Sequence, residues 1–257
     1  MPRHLFTPDA SSPSIIVPLT APDLPRLEAQ VAALSSARVA SSAHDAVEWR
    51  VDLFTPFTDG DGSDPDPAVS ALRRIAQLLP GTPILATFRT IAEGGGADLT
   101  PEAYVGLVGA LAATGLAAAI DVEFRHPRAA EAIESAHAHH TPVVASNHDF
   151  HGTPPVEEIV ERLAAMELAG ADTAKIAVTP RSPADVLVLL DATERRYRAA
   201  GIPLITMSMG ALGAVTRIVG GTFGSAATFA TVGPASAPGQ LPAEGVRQAL
   251  DLLRAGD

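Results

Sequence analysis

The sequence predicts an α/β fold of the (β/α)8 barrel type, and three observations support this prediction. First, eight short apolar runs alternate with longer amphipathic segments. Second, the runs are nearly continuous in apolar residues, as expected for parallel strands that helices cover. Third, the chain has 257 residues, the usual length of a single barrel of this kind. We therefore expect a single domain over 1–257, with 1–13 as a flexible N-terminal segment.

The predicted elements can be placed along the chain from these patterns. The eight predicted strands are 15–19, 47–54, 84–90, 118–125, 142–150, 173–178, 203–210 and 222–232. Helical periodicity is clearest in 23–35, 101–113, 155–169, 183–199 and 242–254. Proline near a helix start and glycine after its end mark several boundaries, for example Pro155 and Gly170. No GxGxxG motif follows the first strand, which disfavours a doubly wound dinucleotide-binding sheet.

Composition narrows the classes of function. The formal net charge of -11 argues against binding nucleic acid or an anionic membrane through a basic face. A local arginine cluster remains compatible with a small anionic substrate. The sequence has no cysteine, so it predicts neither a disulfide framework nor a thiolate metal site. No apolar run reaches the ~18 residues of a membrane span, and we expect a cytoplasmic protein.

The lysine content is unusual. Lysine and arginine together number 18, and the single lysine is Lys175. It lies in the apolar run 173–178, where burial of an ammonium is costly and a neutral amine is favoured. Arginine cannot replace an amine that must attack a carbonyl. The alternative interpretation is a solvated lysine at the end of a strand.

Charged residues occur at every second position in two predicted strands. Glu48, Arg50 and Asp52 share one face of the second strand, and the same alternation recurs in 121–125. The apolar residues between them suit the helix-covered side, so the charges are predicted to point into the barrel. They are either part of a site or a buried ion-pair network that supports the barrel.

Further polar residues lie where strands end, which is where barrel enzymes place their active sites. Arg89 ends the third strand, and Glu93 and the glycine run 94–96 follow it. His148 ends the fifth strand, one strand before Lys175, and a histidine can both accept and donate a proton near neutral pH. A structural role is the alternative for each of these residues.

The C-terminal part of the chain offers two further features. The polar, Gly- and Pro-containing segment 236–240 is typical of a lid over a ligand. Small residues after the last two strands would suit a phosphate site, but no glycine motif at a helix start accompanies them.

Eight segments, in order, carry a family resemblance: EWRVDLF, TFRTIAEGGG, IDVEFR, SNHDFHGTP, KIAV, ITMSMG, TRIVGGTFGSAATF and SAPGQ. The chain resembles the type I 3-dehydroquinate dehydratases from about residue 15 to its C-terminal helix. This resemblance implies a TIM barrel that works as a homodimer without a metal or cofactor. It implies dehydration of 3-dehydroquinate to 3-dehydroshikimate, in the shikimate pathway, through a lysine Schiff base.

The resemblance also implies roles for individual residues. Lys175 would form the imine, His148 would be the general acid and base, and Glu93 would orient that histidine. Arg217 would bind the substrate carboxylate. The remaining implied substrate contacts are Glu48, Arg50, Arg89, Met209, Ser236 and Gln240.

Two alternatives are kept open, and the chain departs from the family at a few positions. One alternative is a class I Schiff-base aldolase, and the other is a catalytically silent barrel that binds a pathway intermediate. Pro18 stands where many relatives have a small polar residue, which puts one substrate contact in doubt. Ala174 and the TRI of residues 216–218 also differ from the common pattern.

Overall fold

A computed structural model of the protein describes residues 13–34, 44–60, 62–233 and 239–254. These residues form two compact units. The first comprises 18–34, 46–60 and 62–145, and the second comprises 13–17, 44–45, 146–233 and 239–254. The single-domain boundary drawn from the sequence stays a prediction. The N-terminal segment predicted to be flexible lies outside the described residues, except for Pro13.

Strands and helices alternate along the chain as predicted. The strands are β1 Ser14–Leu19, β2 Ala46–Arg50, β3 Ile84–Thr87, β4 Ala119–Glu123, β5 Val143–Asp149, β6 Thr173–Val178, β7 Leu204–Ser208, β8 Ala227–Thr231 and β9 Leu241–Pro242. The helices are α1 Leu24–Leu34, α2 Thr55–Thr58, α3 Asp66–Leu78, α4 Pro101–Ala113, α5 Ala129–Ala138, α6 Val156–Leu168, α7 Pro183–Tyr197, α8 Gly210–Gly213, α9 Thr216–Val219 and α10 Ala243–Arg254. Residues 14–17 of β1 and 146–149 of β5 belong to the second unit.

The first unit is built on the parallel strands β2, β3 and β4. Arg50 is in register with Thr87, and Thr87 is in register with Asp121. The strands are buried, α4 packs against β4, and α3 packs beside α4 with buried apolar residues. Edge-to-face aromatic contacts extend this core, including the contact of the fully buried Trp49 with Phe54, whose ring centroids lie 5.8 Å apart.

The second unit pairs β6 with β7, and β1 with β8, in parallel. Lys175 is in register with Ile205. Helices α6 and α7 pack against β6 and β7. Helix α7 begins where its sequence predicts, because Ser182 and Asp185 form a capping box and Pro183 occupies the first turn.

The predicted alternation of charges along the second and fourth strands is corrected by the structure. Strand β2 ends at Arg50, and a 3-10 turn over Val51–Leu53 carries Asp52. Strand β4 ends at Glu123, so Arg125 lies in the turn that follows. Period-2 alternation holds only inside a strand, and each of these strands is shorter than its predicted run.

Candidate active site

Lys175 lies in the middle of β6 and has only 3% of its surface exposed. Its neighbours Ala174 and Ile176 are fully buried and point to the opposite side of the strand. Since α6 packs against β6, these apolar neighbours suit the helix-covered side, and the lysine projects away from it. The fold therefore places the chain's single primary side-chain amine in a desolvated position.

Phe229 in β8 contacts both Lys175 and Arg217. The ring centroid of Phe229 lies 4.7 Å from Lys175 Nζ. The backbone carbonyl of Phe229 accepts a hydrogen bond of 3.2 Å from Arg217 Nη1. The face of an aromatic ring attracts a cation by about 0.5–2 kcal/mol. A positive charge on the lysine nitrogen therefore has a favourable neighbour although it is buried.

Arg217 is held in place by a short connection after β7. The hydroxyl of Thr216 accepts a hydrogen bond of 3.0 Å from the Ser208 N–H and donates one of 2.8 Å to the Gly213 carbonyl. Arg217 is 2% exposed, and burial lowers the pKa of its guanidinium to about 10. It still carries a charge at pH 7. A fixed, desolvated guanidinium of this kind suits a carboxylate ligand.

His148 is half-buried and is the next-to-last residue of β5. Strand β5 is the neighbour of β6 in the sheet. Thr179, which follows β6, donates its hydroxyl to the Asp149 carbonyl at 3.0 Å and its N–H to the Gly152 carbonyl at 3.1 Å. These bonds fix the segment after His148 to the end of the strand that carries Lys175.

In the first unit, Arg89 is buried among carboxylates. Its Nη2 lies 2.7 Å from Asp121 Oδ1, and its Nη1 lies 3.1 Å from Glu123 Oε1 and 3.6 Å from Glu93 Oε2. Burial alone would lower the pKa of Arg89, but Asp121, Glu123 and Glu93 raise it well above its usual value. The guanidinium is therefore permanently charged and its direction is fixed.

Glu123 has further hydrogen-bond partners besides Arg89. The N–H and the hydroxyl of Thr90 donate to its carboxylate at 2.8 and 2.7 Å. The backbone N–H of Glu123 donates to the hydroxyl oxygen of Tyr104 at 3.0 Å, and burial raises the pKa of that tyrosine. These contacts are typical of a buried network that supports the fold, which is the alternative interpretation given above for the charges in this strand.

Asp52 joins β2 to the loop after β3. Arg50 donates two hydrogen bonds to the Asp52 carboxylate, of 2.8 and 2.6 Å. The backbone N–H groups of Arg89 and Gly96 donate to the same carboxylate at 3.2 and 2.9 Å. The glycine run is needed here, since a Cβ at Gly95 would overlap the carbonyl of Arg89. Glu48, on the same strand as Arg50, accepts a hydrogen bond of 3.0 Å from Thr87.

The structure brings the predicted site residues into two groups, one in each unit. Glu48, Arg50, Arg89 and Glu93 lie in the first unit, and His148, Lys175, Met209, Arg217 and Gln240 lie in the second. Met209 is buried, and Gln240 is half-buried. Ser236 lies outside the described residues.

Sequence reasoning missed two side chains of the second group. Phe229 is one, although it shares one face of β8 with Ala227 and Thr231. Met207 is the other, and its sulfur lies 3.9 Å from Arg217 Nη1. Across the residues that the structure describes, no cluster of three or more His, Asp or Glu side chains is arranged to hold a metal. Nor does any helix within those ranges have the length and apolarity to cross a membrane.

Comparison with known proteins decides the family. Residues 15–257 match the model of the type I 3-dehydroquinase family. The chain belongs to the type I 3-dehydroquinase family. A 3-dehydroquinate dehydratase of Listeria monocytogenes is 44% identical over 244 residues, which are 94% of this chain and 93% of that protein. One of Shigella flexneri is 42% identical over 247 residues, which are 95% of this chain and 94% of that protein.

A solved structure supports the same assignment. The type I 3-dehydroquinate dehydratase of Clostridium difficile, crystallised with covalently modified comenic acid, superposes with a TM-score of 0.88 at 36% identity. The match covers 96% of this chain and 94% of that one. The predicted family, the predicted barrel fold class and the predicted hydro-lyase activity are confirmed by these similarities.

Proposed function

We propose that Lys175 is the amine through which this type I 3-dehydroquinase dehydrates 3-dehydroquinate to 3-dehydroshikimate. The observation that carries the proposal is that the only lysine of the chain is buried in β6, with its nitrogen against the ring of Phe229. A lysine kept for solubility or surface charge would be exposed.

The reaction explains the need for an amine. Water is eliminated from carbons beside a ketone, and a carbanion next to a plain ketone is too unstable to form quickly near neutral pH. The Lys175 nitrogen attacks the ketone carbon, and loss of water from that carbon leaves a protonated imine. The C–N double bond then accepts the electron pair of the C2–H bond, which gives an enamine.

His148 is proposed to move the protons. It takes the C2 proton as the enamine forms and gives a proton to the C1 hydroxyl, which leaves as water while the C1–C2 double bond forms. Hydrolysis of the imine then frees the product and the amine. Acid–base assistance of this kind contributes about 10²–10⁴-fold to a rate. Its half-burial and its place on the strand next to Lys175 support this role.

Arg217 is proposed to bind the substrate carboxylate. Its guanidinium is buried, is charged at pH 7 and is anchored by the Phe229 carbonyl, so little conformational freedom remains to be lost on binding. Met209 is proposed to pack on the ligand, and Ser236 and Gln240 to close over it. The roles suggested for Glu48, Arg50, Arg89 and Glu93 in ring-hydroxyl binding and in orienting the histidine stay predictions.

Assembly and location are also proposals. We propose that the enzyme works as a homodimer, as the resemblance implies, and in the cytoplasm, as the sequence analysis predicts. Sedimentation velocity at micromolar concentration tests the assembly, and a single species with the mass of one chain would exclude the dimer.

The direct test of function is the absorbance of the conjugated ketone product after 3-dehydroquinate is mixed with the wild type, Lys175→Arg or Lys175→Ala. Lys175→Arg keeps a positive charge of similar reach but cannot form an imine, so it is the matched control for electrostatics. We expect product from the wild type and none above background from either variant. Turnover by Lys175→Arg would reject the Schiff-base role.

A further inference from the structure

Arg162 in α6 binds the residues on both sides of His148. Its Nη1 donates to Asn147 Oδ1 at 3.1 Å and to Asp149 Oδ2 at 3.1 Å. Its Nη2 contacts Glu158, one turn earlier in the same helix. The guanidinium therefore connects a helix to the two strand residues that flank the histidine.

The geometry of β5 allows this contact to fix the direction in which the His148 side chain points. Side chains alternate along a strand, so Asn147 and Asp149 share one face and His148 points to the other. When both flanking side chains are held from behind, the strand cannot rotate about its axis. The imidazole then keeps one direction.

The support is itself rigid. Helix α6 is anchored by the fully buried Ile159 and Leu163, and only 13% of the Arg162 side chain is exposed. Asn147 is 2% exposed. A hydrogen bond from a charged donor is stronger than one between neutral groups. The Nε of Arg162 is buried and has no hydrogen-bond partner within the described ranges, so its Nη groups set its orientation.

We propose that Arg162 is a positioning residue for catalysis, which acts by fixing the end of β5 so that His148 meets the substrate in the productive direction. This inference rests on the proposed acid–base role of His148. The competing interpretation is that Arg162 only stabilises α6 through its pair with Glu158, four residues away, a type of contact that contributes little on its own.

The first experiment compares Arg162→Gln with the wild type. A displacement of a catalytic group by about 1 Å can cost about 100-fold in rate, so we expect kcat to fall by about 10- to 100-fold. KM should stay within about twofold of the wild-type value. Arg162 does not contact the substrate, so the binding that the ground state and the transition state share is unchanged. Arg162→Lys keeps the positive charge but loses the planar guanidinium with its several N–H donors. It should therefore recover part of the kcat that Arg162→Gln loses.

A matched control is available on the next helix. Arg195 in α7 makes the same kind of pair, with Asp191 four residues before it at 2.7 Å, and its side chain is 53% exposed. Arg195→Gln removes this pair and a longer one, of 3.5 Å, with Glu157 in α6, without touching β5, and should leave kcat and KM unchanged. An equal loss of kcat in both variants would overturn the proposal.

The decisive measurement is a double-mutant cycle with His148→Ala. If Arg162 acts through His148, then Arg162→Gln lowers kcat in the wild type but not in the His148→Ala background. If Arg162→Gln lowers kcat by the same factor in the His148→Ala background as in the wild type, the effect is general damage to the protein, and the proposal is overturned. If Arg162→Gln is not folded by circular dichroism, the same cycle is run with Asp149→Asn, where an additive loss has the same meaning.

Different results would reject the role of His148 and the role of Arg162. A normal rate in His148→Ala would reject the proposed role of His148. A slow His148→Ala together with a wild-type rate in Arg162→Gln would reject the positioning role alone.

Discussion

The side-chain nitrogen of Lys175 lies 4.7 Å from the centroid of the Phe229 ring, and the carbonyl of Phe229 accepts a hydrogen bond from Arg217. One residue of β8 therefore contacts both the proposed imine-forming lysine and the proposed carboxylate-binding arginine. The ring faces a position that would carry a positive charge both as an ammonium and as a protonated imine. This arrangement leads to the first prediction.

Replacing Phe229 with Leu should slow turnover without abolishing it. The variant keeps an apolar side chain but loses the ring face, which is worth about 0.5–2 kcal/mol to a nearby cation. We expect kcat to fall by about 2- to 30-fold, the range that this energy gives. Phe223→Leu removes a half-buried ring from the turn before the same strand and serves as control. Steady-state kinetics of the two variants provide the test. Equal kcat values for Phe229→Leu and Phe223→Leu would argue against a role for the Phe229 ring.

Replacing Arg217 with Met should stabilise the ligand-free protein and weaken substrate binding. Burial lowers the pKa of Arg217 from the ordinary value of an arginine to about 10. At about 1.4 kcal/mol per pH unit, this difference corresponds to about 3 kcal/mol of destabilisation near neutral pH. Loss of the hydrogen bond to Phe229 offsets part of the gain. We therefore expect the free energy of unfolding to rise by about 1–3 kcal/mol.

The sign of the pH dependence follows from the same shift. Between about pH 10 and the higher, ordinary pKa of an arginine, the unfolded chain binds more protons at this group than the folded chain, so the destabilisation by Arg217 diminishes as the pH rises through that range. Urea unfolding should show a larger stabilisation by Arg217→Met at pH 7 than at pH 10.5. Arg254→Met, at an exposed site near the end of α10, should have no effect at either pH. A destabilised Arg217→Met at pH 7 would contradict this account.

Replacing Gly239 with Ala should impair substrate binding. Gly239 has a φ of 75°, and a Cβ there would overlap the carbonyl of Gly210, directly after Met209. Because Gln240 follows, the substitution displaces a residue proposed to close over the ligand. We expect KM for 3-dehydroquinate to rise by at least about 10-fold, since more than 1.4 kcal/mol of binding should be lost.

Gly233 provides the matched control for this substitution. Its φ is 88°, but a Cβ there would meet no atom of the described residues within 4 Å. Gly233→Ala therefore carries the same left-handed strain, of about 1 kcal/mol, without the overlap. KM should change little in this variant. An equal rise of KM in Gly239→Ala and Gly233→Ala would attribute the effect to backbone strain and not to the close approach of Gly239 to Gly210.

The strands and helices could be predicted well from sequence because apolar period and helix boundaries are local signals. Pro155 and Gly170, which flank α6, and the apolar run around Lys175 are examples. The ends of β2 and β4 could not be predicted. Asp52 leaves the strand in a 3-10 turn because its carboxylate binds Arg50 and the N–H groups of Arg89 and Gly96. These partners are distant in sequence, and no local pattern reports them.

The candidate site was predictable where chemistry restricts the residue type. Only a lysine can form the imine, and the chain has one. Phe229 and Arg162 were missed because their roles depend on contacts between elements: the first through its ring and its carbonyl, the second through its contacts with the residues around His148. Apolar and cationic residues of this kind are common in any barrel, so composition does not distinguish them.

The most direct test of the central claim is to trap the intermediate. The protein is mixed with 3-dehydroquinate and sodium borohydride, and its intact mass and peptide map are measured. The account predicts one adduct per chain, with the mass of reduced substrate or product, on the peptide that contains Lys175, and none in Lys175→Arg. A folded protein that forms product but yields no adduct, or an adduct elsewhere in the chain, would contradict it.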